Sequence, residues 1–170
     1  MDTFIEQIVK KHYGAKDYLI TAAAILAVLA LVVASRMFLP SAVAIVFVFV
    51  CIGAYYLITS RNLEFEYSVT NGDITIDKII NRRNRKRVIS IDAHDIEIMG
   101  KYKPKEHDQK TYDVRIDASD NTGSEDTWCF SGHHAQRGSV LVIFSPNEKM
   151  LTAIKPFLSR QVAIDAFGRN

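Results

Sequence analysis

The sharpest chemical feature of the sequence is Arg82-Arg83-Asn84-Arg85-Lys86-Arg87, in which five of six residues are cationic. A run of this kind attracts phosphate, and beside an anionic bilayer each basic residue contributes about 1 kcal/mol. One reading therefore makes Arg82, Arg83, Arg85, Lys86 and Arg87 a lipid-headgroup contact. A second makes the run a solvated basic turn that serves orientation and solubility alone. A third gives it an acidic partner, protein or nucleic acid. Nucleic acid is disfavoured because no aromatic residue interleaves with the run and the net charge is only +2.

Other residues of chemical interest are sparse. His133 and His134 follow Cys129 by four and five positions. On a strand Cys129 and His133 would share a face, but no good third or fourth ligand is evident, so no metal site is expected. Asp92, His94 and Asp95 invite an acid–base reading, yet no nucleophile with a recognisable motif accompanies them. Polar residues at a strand break are ordinary. Residues 18–60 contain no Asp, Glu, Lys or His, groups that intramembrane transport or proteolysis normally needs. The expectation is a non-catalytic protein without cofactor or metal.

The elements that must position the basic run are of two kinds. Residues 18–60 carry a single formal charge, Arg36. Tyr18 to Ser35 and Met37 to Ser60 are charge-free runs, each long enough at about 1.5 Å per residue to cross a hydrocarbon core. Only about Arg36 to Pro40 is left to turn the chain, so the two helices form a tight antiparallel hairpin. Pro40 falls near the start of the second run, where a missing N–H costs least. Tyr55 and Tyr56 lie near its end, at interface depth. Lys10, Lys11 and Lys16 before the hairpin and Arg61 and the basic run after it, against Arg36 alone in its loop, predict a cell-membrane, two-pass protein with both termini cytoplasmic. A cleaved signal peptide is disfavoured by Asp2, Glu6 and Asp17 in the leading segment and by the second apolar run. Buried soluble helices would show a polar face, and neither run does. A disulfide between Cys51, in the second run, and Cys129 is implausible.

Residues 1–16 form an amphipathic N-terminal segment before the hairpin at 17–60. Phe4, Ile5, Ile8 and Val9 recur at helical spacing, and Thr3 with Glu6 fits a capping box. Two readings stay open here: a short helix lying on the inner leaflet, or a frayed terminus or flap on the soluble domain.

From residue 61 to 170 the apolar period becomes two. Phe65, Tyr67 and Val69 alternate with polar residues up to Asn71-Gly72, a strong hairpin turn signal, and Ile74 and Ile76 continue beyond it. Further strands are predicted around Val88–Asp92, Ile96–Ile98, Tyr112–Ile116, Trp128–Phe130 and Val140–Phe144. The last is continuously apolar, as a strand covered on both faces would be. Gly100–Lys110 reads as a long mobile loop, and Ser119–Asp126 as a turn. Ser145-Pro146-Asn147-Glu148 reads as a helix start with Ser145 at the cap. Met150, Leu151, Ile154, Phe157 and Leu158 then supply an apolar stripe. Pro156 is placed to kink or end that helix, and Val162, Ile164 and Phe167 can continue as a second segment.

About seven short antiparallel strands followed by a C-terminal helix, an α+β class, resembles the pleckstrin-homology-like fold. The resemblance is closest to bacterial membrane-anchored versions. There a helix pair leads into a strand like Glu66-Tyr67-Ser68-Val69-Thr70, a turn, a strand like Asp73-Ile74-Thr75-Ile76, a basic stretch, and a strand like Val88-Ile89-Ser90-Ile91-Asp92. The whole chain is also similar to an uncharacterised family of small two-pass bacterial membrane proteins. The resemblance implies no catalytic residues. It implies a membrane-tethered binding or scaffolding module whose partners are membrane lipids, a protein or a second copy. The alternative is an accessory subunit of a larger membrane complex, with Ala22, Ala23, Ala24, Gly53 and Ala54 packing against partner helices.

Overall fold

The computed structural model describes residues 4–38, 40–107, 110–123 and 126–168. Thr3, and with it the capping box, lies outside the described residues. Phe4–Lys10 is not a helix. It is a strand, β1, antiparallel to β2 (Leu63–Thr70), with Val9 opposite Phe65 and Ile5 opposite Val69. The segment is thus neither a helix on the leaflet nor a frayed terminus or flap, but an integral strand of the sheet. Its even residues Phe4, Glu6, Ile8 and Lys10 are exposed, while Val9 enters the core.

The apolar hairpin is inserted between these two neighbouring strands. Helix α1 spans Ala15–Phe38 and α2 spans Val43–Thr59, joined through a 3-10 turn at Pro40–Ala42. The turn therefore comes later than expected: Arg36 belongs to the last turn of α1, and Pro40 opens the connection. Both helices are long and apolar enough to cross a membrane, and almost nothing of either is buried within the chain. A core helix of a water-soluble protein would bury its apolar face. Here Leu19 is 70% exposed and Phe49 71%.

Beyond the hairpin, β2, β3 (Asp73–Ile80) and β4 (Asn84–Asp92) complete a sheet of order β1-β2-β3-β4. Asn71 and Gly72 both adopt positive φ (51° and 99°), as a two-residue hairpin turn requires. A side chain at Gly72 would meet the Phe157 ring at 3.0 Å. The second sheet, β5-β7-β8-β6, is formed by β5 (Ile96–Lys101), β6 (Val114–Asp117), β7 (Trp128–His134) and β8 (Gly138–Phe144). Its β6 lies parallel to β8, a departure from the all-antiparallel expectation. Tyr67, Val69, Ile74, Ile76, Phe130, Val140, Val142 and Phe144 fill the shared core.

The C-terminal stripe closes this core in two pieces. Helix α3 runs Glu148–Ile154, capped by Asn147, whose side chain accepts from the Met150 N–H at 2.8 Å. Ser145 is not the cap, because its hydroxyl accepts from the Asp120 N–H at 3.2 Å and donates to Asp120 Oδ1 at 3.1 Å. Pro156 sits in a 3-10 turn that ends α3, and Ser159 caps a further helix, Arg160–Phe167. The first piece packs on β1 and β2, and the second on β5. Gly100–Lys110 is also structured where it is described: Gly100 and Lys101 finish β5, and a helical turn at Pro104–His107 buries His107. A polar composition concealed that anchor.

Candidate functional site

Both ends of the hairpin leave from one end of the first sheet. Strand β1 finishes there, β2 starts there, and the β3–β4 turn at Asn81, Arg82 and Arg83 sits beside them. The Asn81 N–H donates to the Asn62 carbonyl at 2.8 Å, tying this turn to the chain leaving α2. A cavity of about 220 Å³ lies between them, lined by Tyr56, Thr59, Ser60, Ile80, Asn81, Arg83 and Asn84. On the other side of the hairpin base the His12 N–H bonds the Asp120 carbonyl at 2.8 Å, and Asn121 Nδ2 bonds the His12 carbonyl at 3.1 Å. Burial pushes the Asp120 carboxyl up, but hydrogen bonds from Thr122 and Ser145 outweigh it and hold the group below its usual range.

The basic run does not act as one unit. Only Arg82 and Arg83 are in the turn; Arg85, Lys86 and Arg87 lie within β4. Ile76 pairs with Ile89 and Asp77 with Arg87, so Val88 is an extra residue on β4. Such a bulge inverts the alternation of the residues before it. Arg85 and Arg87 therefore turn to the outer face, and Lys86 turns to the inner face.

On the outer face Glu66 lies directly opposite Asp77, a like-charge pair in which both residues are buried. It is neutralised: Arg85 binds Glu66, and Arg87 Nε reaches Asp77 Oδ1 at 3.2 Å. Next along, Arg82 Nε donates to Glu64 Oε1 at 3.0 Å. Burial, with Asp77 and Glu6 nearby, still holds the Glu66 carboxyl above its ordinary range despite Arg85.

On the inner face, Ile5–Val69–Ile74–Ile91 is followed by Gln7–Tyr67–Ile76–Ile89 and then by Val9–Phe65–Lys78–Lys86. Apolar side chains give way to a second like-charge pair, Lys78 opposite Lys86. Lys11 Nζ stands 5.9 Å over the Phe65 ring and 3.5 Å from Asp117. Among the described residues no carboxylate pairs with Lys78 or Lys86.

The family model of the bacterial PH-like domain DUF6106 matches residues 1–164, from the first strand through the hairpin, both sheets and most of the last helix. The chain belongs to this family. No curated protein and no solved structure matches it. PH-like domains are in general non-catalytic binding or scaffolding modules, and the two candidate transmembrane helices fit a membrane-anchored member.

The other sequence candidates take structural places in this PH-like domain. Cys129 has a histidine neighbour, but it is His107: the sulfur lies 3.3 Å from Nε2, and the Tyr112 hydroxyl lies 3.0 Å from Nδ1. Burial pushes the Cys129 thiol up to about 11, the reverse of an activated thiolate. His133 is exposed, and no group of three or more metal-ligating side chains is assembled among the described residues. Asp92 accepts from the His94 N–H at 2.8 Å and from its ring, which holds the carboxyl below its usual range and caps a turn. Sequence reasoning missed Lys78, which reads as one lysine in an alternating strand until register sets it against Lys86.

Proposed function

We propose that this PH-like domain is a membrane-tethered binding or scaffolding module on the cytoplasmic face, with both termini on that side, and that its hairpin-proximal end contacts anionic lipid headgroups. One observation carries the reading: the hairpin joins adjacent strands β1 and β2, and the β3–β4 turn is bonded to the chain leaving α2. A bilayer around the helices would then lie beside Arg83 and the 220 Å³ cavity. Arg82, Arg85 and Arg87 already hold carboxylates. Of the five basic residues, Arg83 and Lys86 thus keep the most charge for a headgroup.

The test places a fluorophore on a cysteine at exposed position 84, beside Arg83, in a Cys51→Ala background, in the full chain in nanodiscs with headgroup-nitroxide lipid. A label at Thr70, at the far end of β2 and about 24 Å away at the usual strand rise, is the control. Quenching at 84 above that at 70, stronger with phosphatidylglycerol than with phosphatidylcholine and weakened by salt, supports the reading. Equal quenching at both positions overturns it. For the membrane face, a cysteine at exposed Ile164 should resist an impermeant thiol reagent on intact cells. Labelling there would put the domain outside.

A second reading, an accessory subunit of a membrane complex, is favoured by a shallow apolar cleft on the hairpin lined by Ala24, Ala27, Val28, Leu31, Val50, Gly53, Ala54 and Leu57. A side chain at Gly53 would meet nothing within 4 Å, so this glycine is not used to pack α1 on α2. Small residues of this kind admit a further helix. Recovery of the protein alone in mild detergent after cross-linking in cells would count against it.

A further inference from the structure

We propose that Lys78 and Lys86, flanked by Lys11, form an anion site on the inner face of the first sheet, and that the ligand it takes is a phosphate group. The inference deepens the proposed function and rests on its placement of the hairpin-proximal end.

Two like-charge pairs sit on opposite faces of the same three strands. Directly opposed side chains have Cβ atoms about 5 Å apart, and like charges so placed destabilise a sheet. The outer pair, Glu66 and Asp77, is relieved by Arg85 and Arg87. The inner pair, Lys78 and Lys86, has no carboxylate among the described residues. Lys86 is exposed, so its charge is open to a ligand. Lys78 is half-buried beside Phe65, which is buried and carries Lys11 over its ring at 5.9 Å. By register Lys78 and Lys86 share a face with Val9, Phe65, Leu63 and Ile80, and Lys11 reaches over the same Phe65 ring while pairing with Asp117 at 3.5 Å.

A tetrahedral oxyanion suits such a place. It offers several acceptor oxygens to ammonium donors that swing on flexible stems, and it needs no planar bidentate partner. The arrangement is produced by the bulge at Val88, since a regular β4 would send Lys86 to the outer face. The phosphate can come from a lipid headgroup at the adjoining bilayer or from a soluble phosphorylated species, and the two sources are separable.

The experiment uses the full chain in nanodiscs with lysines ¹³C-methylated, which retains their charge. Signals of Lys78 and Lys86 are assigned by their loss in Lys78→Gln and Lys86→Gln. Inorganic phosphate is titrated into phosphatidylcholine discs, and separately phosphatidylglycerol replaces part of the phosphatidylcholine. Movement of both signals with inorganic phosphate, while exposed Lys105 stays put, supports a soluble ligand. Movement only with phosphatidylglycerol supports a headgroup. In either case the double variant should weaken binding about 30-fold, read from phosphate-dependent thermal stabilisation or lipid retention. Signals of Lys78 and Lys86 that follow Lys105 under both conditions overturn the site. If the label at position 84 still reports anionic lipid in that case, the proposed function stands and this inference alone falls. If the lysines respond to inorganic phosphate while position 84 sees no lipid, the site stands and the lipid reading falls.

Discussion

The outer and inner faces of the first sheet present the same problem with opposite signs and answer it differently. Outside, two carboxylates face each other and three arginines of the basic run cover Glu64, Glu66 and Asp77. Inside, two lysines face each other with no carboxylate against them among the described residues. One contiguous run of basic residues therefore contains two populations. Arg82, Arg85 and Arg87 pair with carboxylates of the sheet, whereas Arg83 and Lys86 have no carboxylate against them among the described residues. A charge run is a property of the sequence, whereas the division of its labour is set by strand register.

Replacing Arg85 and Arg87 together with Gln should break this contrast outright. The double variant leaves Glu66 and Asp77 buried opposite each other without guanidinium partners. An unpaired buried charge costs about 3–5 kcal/mol. The domain should lose its cooperative thermal transition while the hairpin stays helical by circular dichroism; a normal melt would refute the two arginines as what relieves the outer pair.

Arg85→Gln is a gentler probe, expected to cost about 1–3 kcal/mol at neutral pH by leaving Glu66 without its donor. The sign of its pH dependence follows from Glu66, whose folded pKa is raised above 4.5. A raised carboxyl favours the native state when protonated, so the penalty grows as pH rises through that raised value and vanishes below 4.5. Denaturant melts of wild type and variant should converge on acidification. A gap that widens in acid would show that Arg85 acts through some other contact.

Lys86→Gln should have the opposite sign. Removing one of two opposed lysines in phosphate-free, low-salt buffer should stabilise by about 0.2–1 kcal/mol, and added salt should erase the gain. A loss of stability instead would mean that the lysine pair is structural after all. The smallest effect belongs to Arg83→Gln, which touches neither pair and should leave stability within about 0.5 kcal/mol while lowering the anionic-lipid signal at the hairpin end. An effect as large as that of Arg85→Gln would place Arg83 among the structural arginines.

Much of the second half was legible in advance, because alternation of apolar and polar residues is a local signal. Phe65–Val69, the Asn71-Gly72 turn, Ile74–Ile76 and Val140–Phe144 all sit where that signal puts them. Strand β1 was not legible. Phe4, Ile5, Ile8 and Val9 fit a helix as well as a strand, and the partner that settles the matter lies across the hairpin at Phe65 and Val69. The helix cap was misread for a similar reason: Ser145 has the right chemistry, but Tyr67 and Asp120 claim it. His107 could not be picked from a charged stretch, since only the folded chain brings it to Cys129.

The sequence by itself determined the two apolar spans, the α+β class and the existence of a concentrated basic run, because these depend on composition and on periods of two or 3.6 residues. Tertiary structure decided that the hairpin interrupts a sheet, that Cys129 meets His107 rather than His133, and that the basic run divides between two faces. Each of those depends on pairing between residues distant in the chain. One unpaired residue, Val88, is enough to reverse which side of a strand carries a charge.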